Sequence, residues 1–126
     1  MVLKSLKIQK LKQEVSMQRT HIILDVHKCD DKILEKADLI KERILKLLKK
    51  FGLKPKIETF YQFEPFGVTA TVFSDSLLFA LHTWPEHCSA AIDLYCFKDR
   101  KFALDVMSEL KKLFKSAEYD MKVLKR

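Results

Sequence analysis

Between Pro55 and Asp99 the chain leaves no room for a helix, and this stretch limits the fold more than any other. Four runs rich in β-branched and aromatic residues follow one another there: Lys56 to Phe63, Val68 to Phe73, Leu77 to Thr83 and Ala90 to Phe97. Such residues suit a pleated, half-buried surface. Glu64-Pro65-Phe66-Gly67 and Trp84-Pro85-Glu86-His87 interrupt the series as turns. Connections this short join antiparallel strands, because a parallel pair needs a crossover of about a dozen residues or more.

Helical patterns flank this block. Thr20 to His27 alternates, with Ile22, Leu24 and Val26 on one side, and reads as a strand. Asp30 or Asp31 then offers a carboxylate to the free N–H groups of a helix start. Ile33, Ala37, Ile40, Ile44, Leu47 or Leu48, and Phe51 recur at steps of three and four, predicting one helix that stops at Gly52 and Pro55. Asp99 caps a second helix with the stripe Phe102, Val106, Leu110 and Leu113 or Phe114, and Tyr119, Met121 and Val123 alternate as a last strand. The order is β-α-β-β-β-β-α-β. It predicts an α+β two-layer sandwich, a largely antiparallel sheet with two helices on one face. The other face would carry apolar side chains from strands such as Val68 to Phe73. A monomer tolerates a large apolar patch poorly, so pairing of two sheets into a four-layer dimer is expected.

The 126 residues suffice for one core. Residues 18–126 read as one domain. Residues 1–17 read as a basic extension, either a short amphipathic helix or an extended arm, with Leu3, Leu6, Ile8, Leu11 and Val15 spaced among lysines. The net charge of +7 raises an anionic partner, but Asp and Glu interleave with the lysines, as on solvated helix faces. Helix-turn-helix, zinc and aromatic RNA-binding patterns are lacking, so no specific nucleic-acid partner is expected. Three cysteines without metal-site spacing suggest reduced thiols in a soluble, cytoplasmic protein and no metal. No apolar run reaches the roughly 18 residues of a membrane span, and no secretory signal is read.

The segment richest in chemistry is His82-Thr83-Trp84-Pro85-Glu86, followed by Ala90-Ala91-Ile92-Asp93. Imidazole exchanges a proton near neutral pH, and indole offers a face to a cationic or aromatic ligand. Glu86 can accept hydrogen bonds from a diol such as a ribose. These blocks, with Pro65-Phe66-Gly67-Val68-Thr69 upstream and the stretch His21 to Asp30, resemble the small bacterial and archaeal pyruvoyl-dependent S-adenosylmethionine decarboxylases. The resemblance covers about Gln18 to the C-terminus. It implies a role in polyamine (spermidine) biosynthesis. His82 would be the processing histidine, Thr69 would stand for a processing serine, and Phe63, Trp84 and Glu86 would help hold the adenosine moiety.

The family cuts its own chain before an internal serine, which becomes a pyruvoyl ketone, an electron sink while carbon dioxide leaves. Counting five positions back from His82 lands on Leu77, and the family's catalytic cysteine falls on Phe97. Cys96 lies one position early, which in a strand reverses the side chain. Leucine has no oxygen from which a ketone can form. The resemblance therefore implies a non-self-processing homologue without a cofactor. Such a chain could bind S-adenosylmethionine or a related nucleoside, or modulate an active paralogue, as a homodimer or a heterodimer. The alternative is an active enzyme cut between Asp75 and Ser76, with a pyruvoyl group from Ser76 and a one-residue bulge before His82. Elsewhere the residues read as structural. His21 and His27 are strand residues, His87 faces solvent, Cys29 and Cys88 are small buried residues, and Tyr61 and Tyr95 pack on the sheet.

Overall fold

The structure is a computed structural model that describes residues 19–126; the expected extension and its boundary with the domain lie outside them. Six strands form one antiparallel sheet: β1 (Thr20–His27), β2 (Ile57–Gln62), β3 (Val68–Phe73), β4 (Leu77–Trp84), β5 (Ser89–Cys96) and β6 (Glu118–Lys125). Their order across the sheet is β2-β3-β4-β5-β1-β6. The order along the chain is the predicted one, and β3 has the predicted bounds.

Strand alternation sorts the side chains. Ile22, Leu24 and Val26, Val68, Ala70 and Val72, Leu77, Phe79 and Leu81, and Ile92, Leu94 and Cys96 all turn into one core. The helices α2 (Ala37–Lys50) and α3 (Arg100–Leu113) close that core with Ile40, Ile44, Leu47 and Leu48, and with Ala103, Val106, Met107, Leu110 and Phe114 at the end of α3. Phe114 rather than Leu113 completes the second stripe. Asp99 caps α3 as expected, its carboxylate accepting from Phe102 N–H at 2.8 Å. Asp30 caps the first helix through Lys32 N–H at 3.1 Å.

Two expectations change. The first helix is two helices, α1 (Asp31–Glu35) and α2, because Lys36 is extended at φ −118° and ψ 131°. The apolar stripe runs on through the break, so periodicity does not reveal it. The open sheet face is also less apolar than expected. Within β3 it is Val68, Ala70 and Val72 that face the helices, leaving Thr69, Thr71 and Phe73 for the other side. Exposed apolar groups on that side include Ile57 and Tyr61 on β2, Trp84 at the end of β4 and Leu124 on β6. Tyr61 was expected to pack on the sheet, but it is 57% exposed and meets Phe63 edge to face, at a centroid distance of 4.9 Å. Tyr95 does pack, stacked on His21 at 4.0 Å.

Candidate functional site

The β3–β4 register sets Thr69 opposite His82 on the open face. Their side chains meet, with Thr69 Oγ1 3.0 Å from His82 Nδ1. When the hydroxyl donates, the ring proton sits on Nε2, which is then left to donate to a ligand. Two residues on, alternation returns to the same face at Trp84, whose ring centroid lies 6.1 Å from that of His82. Pro85 ends β4 in a single 3₁₀ turn (Pro85–His87) that carries Glu86. Phe63 and Phe66 close the other side from the β2–β3 loop. A hollow of about 370 Å³ results, lined by Phe63, Thr69, His82, Trp84 and Glu86 together with Phe66, Gly67 and Thr83. Every one of the five residues singled out for ligand contact or proton transfer around His82 is in it. A larger groove, about 850 Å³, lies on the outer helix surface and contains none of them.

Three residues to which the sequence reading gave no role of their own hold this hollow in shape: Gln62, Gly67 and Thr83. Gln62 fills the gap at the α1–α2 break. Its Oε1 accepts from Ala37 N–H at 2.6 Å, and its amide donates to the carbonyls of Glu35 at 2.9 Å and Gly67 at 3.0 Å. Gly67 itself sits at φ +118°, a region that favours glycine, and its N–H donates to the same Glu35 carbonyl at 3.0 Å. Thr83, between His82 and Trp84 but turned inward, accepts from Val68 N–H at 2.9 Å and donates to Leu34 carbonyl at 2.8 Å. The signal for Gln62 was a lone amide at the end of a strand, which carries no meaning until its distant partners are known. Gln62→Ala is expected to lower stability by about 1.5–3 kcal/mol, since several backbone groups lose partners together. Urea unfolding of both proteins measures it.

Ser76 and Cys96 stand apart from this hollow. Asp75 and Ser76 form the tip of the β3–β4 hairpin, closed by Ser74 N–H donating to Leu77 carbonyl at 2.9 Å. Asp75 pairs with Lys56 at 2.8 Å. From Ser76 to His82 is six residues of extended chain, roughly 20 Å. The bulge that would bring Ser76 closer is absent, because β4 pairs without interruption from Leu78 to His82 on one side and from Leu77 to Trp84 on the other. Leu77 and Cys96 oppose each other and both point into the core, fully buried. Burial pushes the Cys96 thiol up, away from thiolate character. Phe97, one position on, is 41% exposed. Among the described residues no three His, Cys, Asp or Glu side chains converge as a metal site.

The other two strand histidines contact carboxylates away from the hollow. His21 Nε2 contacts Asp93 Oδ1 at 3.1 Å, and His27 contacts Asp120 at 3.4 Å. His87 is exposed, as expected. No helix is long and apolar enough to cross a membrane, among the described residues.

Comparison with known proteins places these features in context. The family model described as S-adenosylmethionine decarboxylase matches residues 20–126. The S-adenosylmethionine decarboxylase proenzyme of Fervidobacterium nodosum is 33% identical over 96 residues, covering 76% of this chain and 70% of that protein. The proenzyme of Pyrococcus abyssi is 36% identical over 75 residues, 60% of this chain and 54% of that protein. The crystal structure of the adenosylmethionine decarboxylase from Aquifex aeolicus superposes with a TM-score of 0.81 at 28% identity, over 87% of this chain and 91% of that one.

Proposed function

The chain belongs to the S-adenosylmethionine decarboxylase family, and from that membership we propose that it is a non-self-processing homologue that binds S-adenosylmethionine or a related nucleoside. The observation that carries the reading is Leu77. The position from which a pyruvoyl group would arise holds an alkyl side chain packed in the core, facing away from His82. The residues present do not fit that group.

The ligand half of the site supports binding. Trp84 and Phe63 are part-exposed aromatic faces at 42% and 47%, suited to an adenine ring or a sulfonium. Glu86 sits at the rim for a ribose diol, and the Thr69–His82 pair lies on the hollow's sheet side. The two ends of β4 carry different equipment, a serine-bearing hairpin tip and a histidine-bearing hollow. A second chain stacked on the open face in the opposite sense would bring one chain's tip to the other's hollow. With a serine-bearing paralogue, such a dimer would let this chain complete or modulate the paralogue's site.

The experiment is intact mass spectrometry followed by titration calorimetry. A single uncut chain that takes up S-adenosylmethionine below millimolar concentration is expected. Trp84→Ala should weaken uptake roughly tenfold, the scale of one lost cation–π or stacking contact. Absence of heat at millimolar ligand sinks the binding claim. A second reading is an active enzyme cut between Asp75 and Ser76. It is favoured by the proenzyme name of the relatives and by the exposed acidic residue before a serine at the hairpin tip. A blocked fragment beginning at position 76, with carbon dioxide release from substrate, would establish it in place of the first.

A further inference from the structure

Two of the three cysteines meet at the turn that carries the candidate site. β1 ends at His27, Lys28 takes a left-handed conformation at φ 54°, and Cys29 follows. Its N–H donates to the carbonyl of Cys88 at 2.9 Å. Cys88 closes the Pro85–His87 turn, itself left-handed at φ 50°. Standard bond lengths then limit the Cα–Cα separation of the two cysteines to at most about 6.8 Å. A disulfide requires roughly 4.4–6.8 Å. All three thiols are free, with Cys29 buried and Cys88 half-buried. Cys96 is at the opposite end of β5, eight residues from Cys88 along the chain.

We propose that Cys29 and Cys88 form a reversible dithiol–disulfide clasp whose oxidant is a low-molecular-weight disulfide. Cys88, the accessible thiol, attacks as thiolate one sulfur of the reagent, making a mixed disulfide and releasing one small thiolate. Cys29 then gives up its proton and attacks Cys88 Sγ, expelling the second small thiolate. Two cysteine thiols are oxidised to one disulfide by two electrons, and the reagent is reduced to two thiols. Burial pushes the Cys29 thiol up, with the Ser116 hydroxyl opposing and Cys88 adding to the rise, which suits the resolving rather than the attacking role. A metal does not explain the pair, since no third ligand converges on it among the described residues.

The bond would tie the segment before α1 to the turn that presents Glu86, four residues or fewer from Trp84. Trp84 is the only tryptophan of the chain, so its emission reports on the clasp without any assay of ligand or activity. The test treats the full chain with glutathione disulfide and maps it without reduction. The expected product is about 2 Da lighter, as loss of two hydrogens demands. It yields a Cys29–Cys88 peptide, shifts Trp84 emission, and melts about 5–15 °C higher, all reversed by dithiothreitol. Cys29→Ser and Cys88→Ser should each abolish these changes, while Cys96→Ser should keep them. A mixed disulfide that persists at Cys88 beside a free Cys29, a bond to Cys96, or an unchanged mass overturns the proposal. The mapped wild-type peptide decides the matter even where a variant fails to fold. Failure of ligand binding would leave the clasp untouched.

Discussion

Leu77→Ser is expected to leave the chain uncut and to lower its stability by about 3–8 kcal/mol. The substitution restores the residue type that the family places five positions before the histidine. In this chain, however, that position is fully buried, opposite Cys96 in β5 and beneath the helix layer. Removing the isobutyl group leaves a cavity, which for leucine costs roughly 2–5 kcal/mol. The new hydroxyl adds a desolvation penalty of about 1–3 kcal/mol unless it finds a partner. Against a total stability of roughly 5–15 kcal/mol, the variant would be close to unfolding at elevated temperature. Intact mass after prolonged warming and urea titration read both parts. Two fragments parted at the 76–77 bond would mean that the surrounding residues still support cleavage, and that loss of the serine alone explains the silence.

Thr83→Val tests the scaffold of the hollow with almost no change in shape. The threonine hydroxyl links Val68 N–H to Leu34 carbonyl, joining β3, β4 and α1 at one buried oxygen. Among the described residues, no buried side-chain nitrogen or oxygen lacks a partner. Valine removes the oxygen and leaves a buried backbone donor and acceptor unpaired. Each costs about 1–3 kcal/mol, so a loss of roughly 2–6 kcal/mol is expected. The midpoint of urea unfolding should fall while its slope stays constant. A change below about 0.5 kcal/mol, the scale of an ordinary surface substitution, would show that water replaces the hydroxyl and that the link is dispensable. Ligand affinity should fall too, because Val68 and Leu34 anchor the strand and helix on either side of the β2–β3 loop.

The two variants probe opposite ends of β4, and that strand explains why the resemblance divides as it does. Thr69, His82, Trp84, Phe63 and Glu86 lie at one end, where the chain keeps polar and aromatic groups facing open space. Leu77 and Cys96 lie at the other, both buried in the core. A single residue of register separates Cys96 from the exposed face, and Phe97 occupies the position it would need. Nothing in the pairing of β4 with its neighbours offers the extra residue that would correct this.

What the residues determined alone was everything carried by short-range periodicity and turn chemistry. Alternation in Val68 to Phe73, the Asp99 cap and the proline-bearing turns are local, and they appear where the chain order places them. The composition of the hollow was legible as well, because His82, Trp84 and Glu86 are near neighbours in sequence and Thr69 reaches His82 through one hairpin register. Tertiary structure decided the rest. The helix break at Lys36 depends on Gln62, whose partners lie 25 and 27 residues away, and no local pattern encodes an amide that substitutes for a helical turn. The inward role of Thr83 rests on a carbonyl 49 residues distant. The meeting of Cys29 with Cys88, and the separation of Ser76 from His82, follow from which strands pair and in what register. Those are choices made by burying many side chains together, and so they cannot be read from any one segment.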